Sequence, residues 1–292
     1  MEVLSVARGF ANKKIELYSL HARIGEEPTD YTQLFDLLSA YPAAARQHLF
    51  GGRLIAIPTM RRDGNRVFIH ALEGDVNVNP MIYDQVLVEA RTESLEQNEV
   101  LVHKTHAILD LGTRDAVVEY NQRGAKASDL AFLMEVVARR MQGFEDLTLD
   151  LNPVAGQEFE EAIERFERIR LASVKLARPN ADWTDRYNQL TGIAAESGAR
   201  FIQIEVVAGR SRSLEKSTGV INQIRELLRY PVSMFKGAKI SGVRTGERAQ
   251  TSISLERYIE HQRIAVKLTP SGHVDVDDIE SKMVEFLNSR VA

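Results

Sequence analysis

The chain has 292 residues, 44% of them hydrophobic, and 37 Lys and Arg against 41 Asp and Glu give a formal net charge of −4. That is enough apolar material for one large core or two of ordinary size, and ordinary domain sizes favour two. There is no cysteine, which excludes disulfides, thiolate zinc sites and cysteine nucleophiles, and there is no apolar run of about 18 residues of the kind that spans a bilayer as a helix.

The stretch MEVLSVARGFANKK lacks an apolar core of signal-peptide length, so the expected compartment is the cytoplasm. Residues 13–24 (KKIELYSLHARI) alternate well enough to predict a strand, with 25–28 as its turn. Over 30–41, Tyr31, Leu34, Phe35 and Leu38 recur at helical spacing, Pro42 disrupts continuation, and Gly51 and Gly52 mark a turn. Segments 53–60 and 66–72 flank Asp63, Gly64 and Asn65, the centre that a tight β-hairpin needs because glycine accepts positive φ. A further strand pair is predicted over 99–111 and 115–121. A helix follows over 128–141, with Leu130, Leu133, Val137 and Met141 as its inner stripe.

A short strand over 147–153 and an acidic amphipathic helix over 156–167 (GQEFEEAIERFE) place the domain boundary near 150–168. Beyond it the order reads strand 170–177, helix 182–197, strand 199–208, helix 213–229, strand 238–244. Ser213 is read as the cap of the second helix and Gly198 as the stop of the first. This run suggests a split βαβ sheet. Strands over 252–260 and 263–269 and a closing helix over 276–289, with Ile279, Met283, Phe286 and Leu287 inward, complete the chain. Segments 116–140 and 264–290 both run strand, glycine turn, acid-bearing cap and amphipathic helix. This echo is consistent with duplication and also with convergence on one packing solution. The expected fold class is therefore α+β: two αβ domains, 1–155 and 156–292, the C-terminal one built around a split βαβ antiparallel or mixed sheet.

Charge is unevenly spread. Residues 200–248 hold ten Lys or Arg against four Asp or Glu, whereas 144–168 has eight acids against two bases and 71–100 has seven against one. A chain of negative net charge that gathers cations on one stretch offers an anion-facing surface, and nucleic acid is the commonest extended polyanion. Arg210 and Arg212 sit in the loop AGRSRS, and Lys216 is placed one turn into the helix after it, where free amides and partial positive charge favour phosphate. Lys236, Lys239, Arg244 and Arg248 follow on a strand and its turn, with Gly237, Gly242 and Gly246 permitting close approach of a bulky backbone. Arg61, Arg62 and Arg66 at the first hairpin tip form a second candidate group. Exposed rings for stacking single strands are sparse, which favours duplex over single-stranded nucleic acid, and apart from NQIRELLR at 222–229 no helix in this region carries the residues for reading bases, so little sequence preference is expected. The competing reading is a solvated basic surface that meets an acidic face of the same protein or of its twin.

Other chemistry is weakly signalled. His103 and His106 lie three apart on a strand and point to opposite faces, so no shared metal is expected. The Ser213-Leu214-Glu215-Lys216 spacing lacks the companion motifs of serine-lysine enzymes. Asp110 and Glu119 are the best candidates for magnesium ligands in a nuclease, but no Glu-x-Lys follows them. GAKASD at 124–129 has neither the spacing nor the ending of a phosphate-binding loop. No cofactor, metal or catalytic residue is predicted.

The segments DLGTRDAVVEYNQRGAKASDLAFLMEV (110–136) and TSISLERYIEHQRIAVKLTPSGHVDVDDI (251–279) resemble, in pattern, the phage-exclusion RexA-like family. That family is similar in architecture to the recombination-associated protein RdgC. The resemblance implies a two-domain α+β homodimer that binds DNA with little sequence preference. It also implies defence of a lysogen against superinfecting phage, alongside a separately encoded membrane protein. The expected function is thus a non-enzymatic, sequence-non-specific double-stranded DNA-binding protein. The alternatives are a metal-dependent nuclease effector or a protein-interaction scaffold that does not bind DNA.

Overall fold

The computed structural model describes residues 9–25, 27–84, 86–177, 201–229 and 235–291. The helix expected over 182–197 lies outside them.

The first strand, β1 (Phe10–Ile24), begins three residues before the expected one, buries Ile15, Leu17, Leu20 and Ala22, and is followed by the two-residue β2 (Glu27–Pro28). Helix α1 (Tyr31–Ala40) begins where the Asp30 carboxylate accepts hydrogen bonds from Thr32 N (2.8 Å) and Gln33 N (3.2 Å), and it buries Leu34, Phe35 and Leu38. β3 (Gln47–Phe50), β4 (Arg53–Asp63) and β5 (Arg66–Asp75) follow. The last two close directly over Gly64 and Asn65, with Gly64 at φ +57 and Asp63 opposite Arg66. A separate hairpin, which periodicity does not predict, comprises β6 (Met81–Asp84) and β7 (Glu89–Thr92). Then come β8 (His103–Asp110), β9 (Asp115–Tyr120), α2 (Ala127–Ala138) and β10 (Leu147–Pro153). The second half runs α3 (Gln157–Glu164), β11 (Phe166–Ala177), β12 (Phe201–Val207), α4 (Gly219–Arg229), β13 (Phe235–Arg244), β14 (Gln250–Ser254), β15 (His261–Lys267) and α5 (Val276–Val291). The architecture is mixed α+β with mostly antiparallel sheets and, among the described residues, five helices.

Two compact units form: Met1–Glu16, Ala22–Leu149 and Gln262–Ala292 make the first, and Leu17–His21 with Asp150–His261 the second. A single cut at 155/156 does not describe this division, because the chain crosses between units more than once. The reason lies in strand pairing. β15 joins β1, so the last segment and its helix return to the unit that the first strand began.

The large curled sheet has strand order β10-β1-β9-β8-β5-β4-β3, with β2 and β15 also on β1. In the first unit, α1 and α2 pack on β4, and α5 packs on β8 and β9 through buried Ile279, Met283 and Leu287. The second unit has a four-stranded antiparallel sheet, β12-β11-β13-β14. Here α3 contributes Phe159, Ala162 and Ile163, and α4 contributes Ile221, Ile224 and Leu227. Both sets pack with Ala172, Val174, Ala238, Ile240 and Ile253 of the strands into one core. β12 and β13 each pair antiparallel with β11 from opposite sides and are connected in sequence through α4.

Because side chains alternate across a strand, the registers fix which residues share the other face of this sheet: Ser173 and Lys175 of β11, Lys239 and Ser241 of β13, Ser252 and Ser254 of β14, and Gln203 and Glu205 of β12. Lys175, Gln203, Glu205, Lys239 and Ser252 on that face are exposed. The sheet is thus apolar towards its helices and largely polar on the opposite side, where Phe201 and Val207 at the two ends of β12 are the exposed apolar residues.

Candidate nucleic-acid interface

The second-unit sheet has one end where cations gather. β11 starts there, β12 and β13 finish there, and the loop after β12 folds back onto β11. Ala208 N bonds to the Arg170 carbonyl at 2.9 Å and Leu214 N to the Ile169 carbonyl at 2.9 Å, so residues 209–213 lie against the first turns of β11. Two β11 side chains clasp that loop. Arg168 Nη2 donates to the Ser211 carbonyl (2.7 Å), and Arg170 Nη1 donates to the carbonyls of Gly209 (3.1 Å) and Arg212 (2.8 Å). Arg210 and Arg212 project from the loop and are exposed. On the neighbouring strand Arg244 lies opposite Phe166, its guanidinium 5.9 Å from that ring, and its buried Nε has no hydrogen-bond partner. Thr245 N bonds to the Arg165 carbonyl (3.0 Å), which ties the β13–β14 turn to the same end, and exposed Arg248 sits in that turn.

Backbone irregularity makes this possible. β11 pairs with β13 through register shifts between Phe166 and Arg168 and between Ile169 and Leu171, and such bulges re-aim side chains. Gly242 faces the bulge. A β-carbon there would collide with the Arg168 carbonyl oxygen and lie 2.9 Å from Ile169 Cα. The close approach that Gly242 permits is therefore that of β11, not of an external ligand.

What the arginines bond to decides what they can do. Among the described residues, Arg168, Arg170, Arg210, Arg212, Arg244 and Arg248 have no carboxylate partner. A carbonyl oxygen orients a guanidinium without cancelling its charge, so this end keeps a concentrated positive field. Lys239 in the open sheet face is likewise exposed without a carboxylate partner, and Lys175 sits 4.1 Å over the Phe201 ring. Exposed Glu167, Glu205, Glu215 and Glu247 are acids close in the chain or sheet to this surface.

The other cations expected to face phosphate are placed differently. Lys236 Nζ bonds to Asp150 Oδ2 (2.6 Å) and Asn152 Oδ1 (2.8 Å). Lys216 Nζ bonds to the Glu164 carbonyl (2.7 Å) and lies 3.4 Å from its carboxylate, which also pairs with Arg225. The helix at this point begins at Gly219, not 213, so Lys216 precedes it. Ser213 Oγ accepts from Ile169 N (2.9 Å) instead of capping. The shallow cleft beside Lys216 and Arg225 is also lined by Glu164, Glu167 and Glu215, so its acids outnumber its bases.

The hairpin cations of the first unit are also engaged. Arg61 pairs with Glu280 and stacks 3.9 Å from the Phe68 ring centroid; Arg62 pairs with Asp36 (2.6 Å); Arg66 bonds to Asp110 Oδ2 (3.3 Å) and to Asn288. The ten residues singled out by charge thus separate into a set without carboxylate partners (Arg210, Arg212, Lys239, Arg244, Arg248) and a set with acid partners (Arg61, Arg62, Arg66, Lys216, Lys236). Charge counting missed Arg168 and Arg170. Arg168 closes an eight-acid stretch in the sequence, and only the bulge and the returning loop bring the two arginines beside Arg210 and Arg212.

A second titratable cluster lies in the first unit. His70 and His106 are direct partners across β5 and β8, their rings edge to face with centroids 5.2 Å apart. His106 Nδ1 bonds to Glu119 Oε2 (2.7 Å), Lys13 pairs with Glu119 (2.8 Å), and His70 Nε2 bonds to Glu280 Oε1 (2.8 Å). Burial pushes the Glu119 carboxyl up, but the bonds from His106 and Lys13 outweigh it and leave Glu119 below its ordinary range. For His70 burial dominates and, helped by His106, holds the ring below its ordinary value despite Glu280. Asp110 and Glu119 do not come together as a metal pair: Asp110 pairs with Asp115 across the strands and caps Gly112 N and Thr113 N, while Glu119 belongs to the histidine row. Among the described residues no three His, Asp or Glu side chains converge in a way that could hold a metal ion.

Geometry defines the class as an α+β protein whose second sheet carries an arginine-lined end. No protein-family model and no curated protein matches the sequence.

Proposed function

We propose that this chain binds double-stranded DNA without sequence preference, through the arginine end and open face of the second-unit sheet. The observation that carries this reading is the gathering of four arginines around one loop: Arg168 and Arg170, held by carbonyl oxygens and not by carboxylates, and Arg210 and Arg212, exposed on the loop itself. Guanidinium groups of this kind contact phosphate oxygens, which position a duplex but report no base identity. Arg244, Arg248 and Lys239 extend the same surface. The β12–α4–β13 connection around β11 is read as the split βαβ unit that builds this platform.

A gel-shift titration on random duplexes at low and high salt tests the proposal. Retention at low salt that weakens with salt, by a slope of about 0.9 per neutralised phosphate, supports it. So does loss of retention in Arg168→Glu with Arg212→Glu. A wild-type protein indifferent to duplex DNA at low salt overturns it. Magnesium-dependent cutting would instead favour the nuclease alternative. The resemblance to the RexA-like family adds a proposed setting, exclusion of superinfecting phage by a homodimer in the cytoplasm working with a membrane protein, which plaque formation on cells with and without the gene tests.

A further inference from the structure

An aromatic ring on the second-unit sheet has no part in duplex binding. Phe201 opens β12 and is 48% exposed on the polar face, at the end of that strand away from the arginines. In a duplex the base faces are covered by their neighbours in the stack and offer nothing to such a ring. An unpaired strand presents them, and stacking on an aromatic side chain is how proteins hold it.

The strand registers place cations between the arginine end and this ring. Lys239 of β13 lies opposite Ser173 of β11, Lys175 follows two residues further along β11, and Phe201 lies opposite Ala177, two further again. Alternation puts these three side chains on one face. Both lysines are exposed, and among the described residues neither has a carboxylate partner. Hydroxyls flank them: Ser254 lies opposite Lys239, and Ser241 Oγ and Ser252 Oγ are 2.7 Å apart. Glu205, the acid on this face, stands on β12 opposite Ser173, to the side of the line from Lys239 through Lys175 to Phe201. Lys175 Nζ now sits 4.1 Å from the centre of the Phe201 ring. An exposed contact of that kind is weaker than base–aromatic stacking, so a base displaces the ammonium, which then meets the adjoining phosphate.

We propose, building on the duplex-binding reading, that the preferred ligand is a DNA duplex with a single-stranded tail. The paired part is held at the arginine end, the tail crosses the open face past Lys239 and Lys175, and one base stacks on Phe201. From Arg170 to Ala177 the strand covers about 23 Å at about 3.3 Å per residue. A tail that keeps the duplex rise of about 3.4 Å per nucleotide crosses it with about seven nucleotides. Every base has a π-face, so a single ring adds affinity without reading sequence.

Anisotropy titrations at low salt test this with a blunt duplex, the same duplex carrying a tail of about eight nucleotides in either polarity, and a blunt duplex lengthened by about eight pairs. A tail of at least one polarity is expected to tighten binding about tenfold over both blunt duplexes. Phe201→Leu, which keeps apolar bulk and removes the ring, is expected to lose that gain and to bind the blunt duplexes as wild type does, with wild-type circular dichroism. Phe201→Trp is expected to retain the gain, which a merely structural role for the side chain would not produce. Equal binding of tailed and lengthened blunt duplexes, a gain that survives in Phe201→Leu, or one lost in Phe201→Trp overturns the inference and leaves duplex binding standing. A wild type that ignores every one of these DNAs overturns the duplex reading, and this inference with it.

Discussion

Two groups of arginines in this molecule have the same side chain and different fates. Arg61, Arg62 and Arg66 of the first unit end on Glu280, Asp36 and Asp110, whereas Arg168 and Arg170 of the second end on the carbonyls of Gly209, Ser211 and Arg212. The first group stitches the hairpin to helices and a neighbouring turn, and its field is largely cancelled at source. The second orders a loop while its charge remains available. Local density of Lys and Arg therefore says little about an anion site until the partner of each head group is known.

The comparison breaks or holds most visibly in DNA affinity. Arg168→Glu with Arg212→Glu is expected to weaken duplex binding at low salt by about a hundredfold, since each reversal both removes a cation and adds a repulsive charge. Arg61→Glu with Arg62→Glu is expected to leave affinity within about threefold while lowering the melting temperature, because those groups are held by acids. Fluorescence anisotropy and thermal melts read both. An affinity loss in the second variant as large as in the first would abolish the distinction.

Gly242→Ala comes next. The added methyl group meets the β11 backbone, so a loss of about 2–4 kcal/mol of stability is expected, together with weakened DNA binding as the bulge that aims Arg168 and Arg170 is displaced. Chemical denaturation checks the first effect and anisotropy the second. A neighbouring pair sharpens the contrast on a single strand. Lys236→Ala is expected to cost about 1–2 kcal/mol of stability by stranding Asp150, with little effect on affinity, and Lys239→Ala the reverse, with stability within about 0.5 kcal/mol of wild type.

Acidification separates the units in another way. His70 is held below its ordinary value of 6.5, so between that value and the folded one the unfolded chain binds more protons, and stability falls as pH falls through this window. Glu119, held below its ordinary 4.5, contributes stability above that value that is lost at still lower pH. Thermal melts are expected to show a decline beginning below about pH 6.5 that His70→Gln flattens. The smallest effect is Arg212→Ala, which is expected to reduce the salt slope of DNA binding by about 0.9. An unchanged slope would remove Arg212 from the phosphate contacts.

Much of the element map was legible in the sequence. The apolar stripe of the helix over 30–41, Gly64 in its hairpin, the strand over 147–153 and the inward positions Ile279, Met283 and Leu287 of α5 follow from local periodicity and turn chemistry, which depend on residues a few positions apart. The helix expected from 213 failed locally as well. The Ser213 hydroxyl bonds to Ile169 N, 44 residues away, and a contact of that separation leaves no periodic trace. The β6–β7 hairpin was missed for the opposite reason: its aliphatic residues face water, so they do not alternate with polar ones.

The sequence by itself determined that the molecule would be α+β, free of disulfides, and unevenly charged, because composition and short-range periodicity are properties of the chain before it folds. Only the tertiary structure decided which cations keep their charge available. Arg61 meets Glu280 across 219 residues, Lys236 meets Asn152 across 84, and Arg168 meets Ser211 across 43. Electrostatic fields add in space and not along the chain, so pairings that fold distant segments together set the sign of each surface.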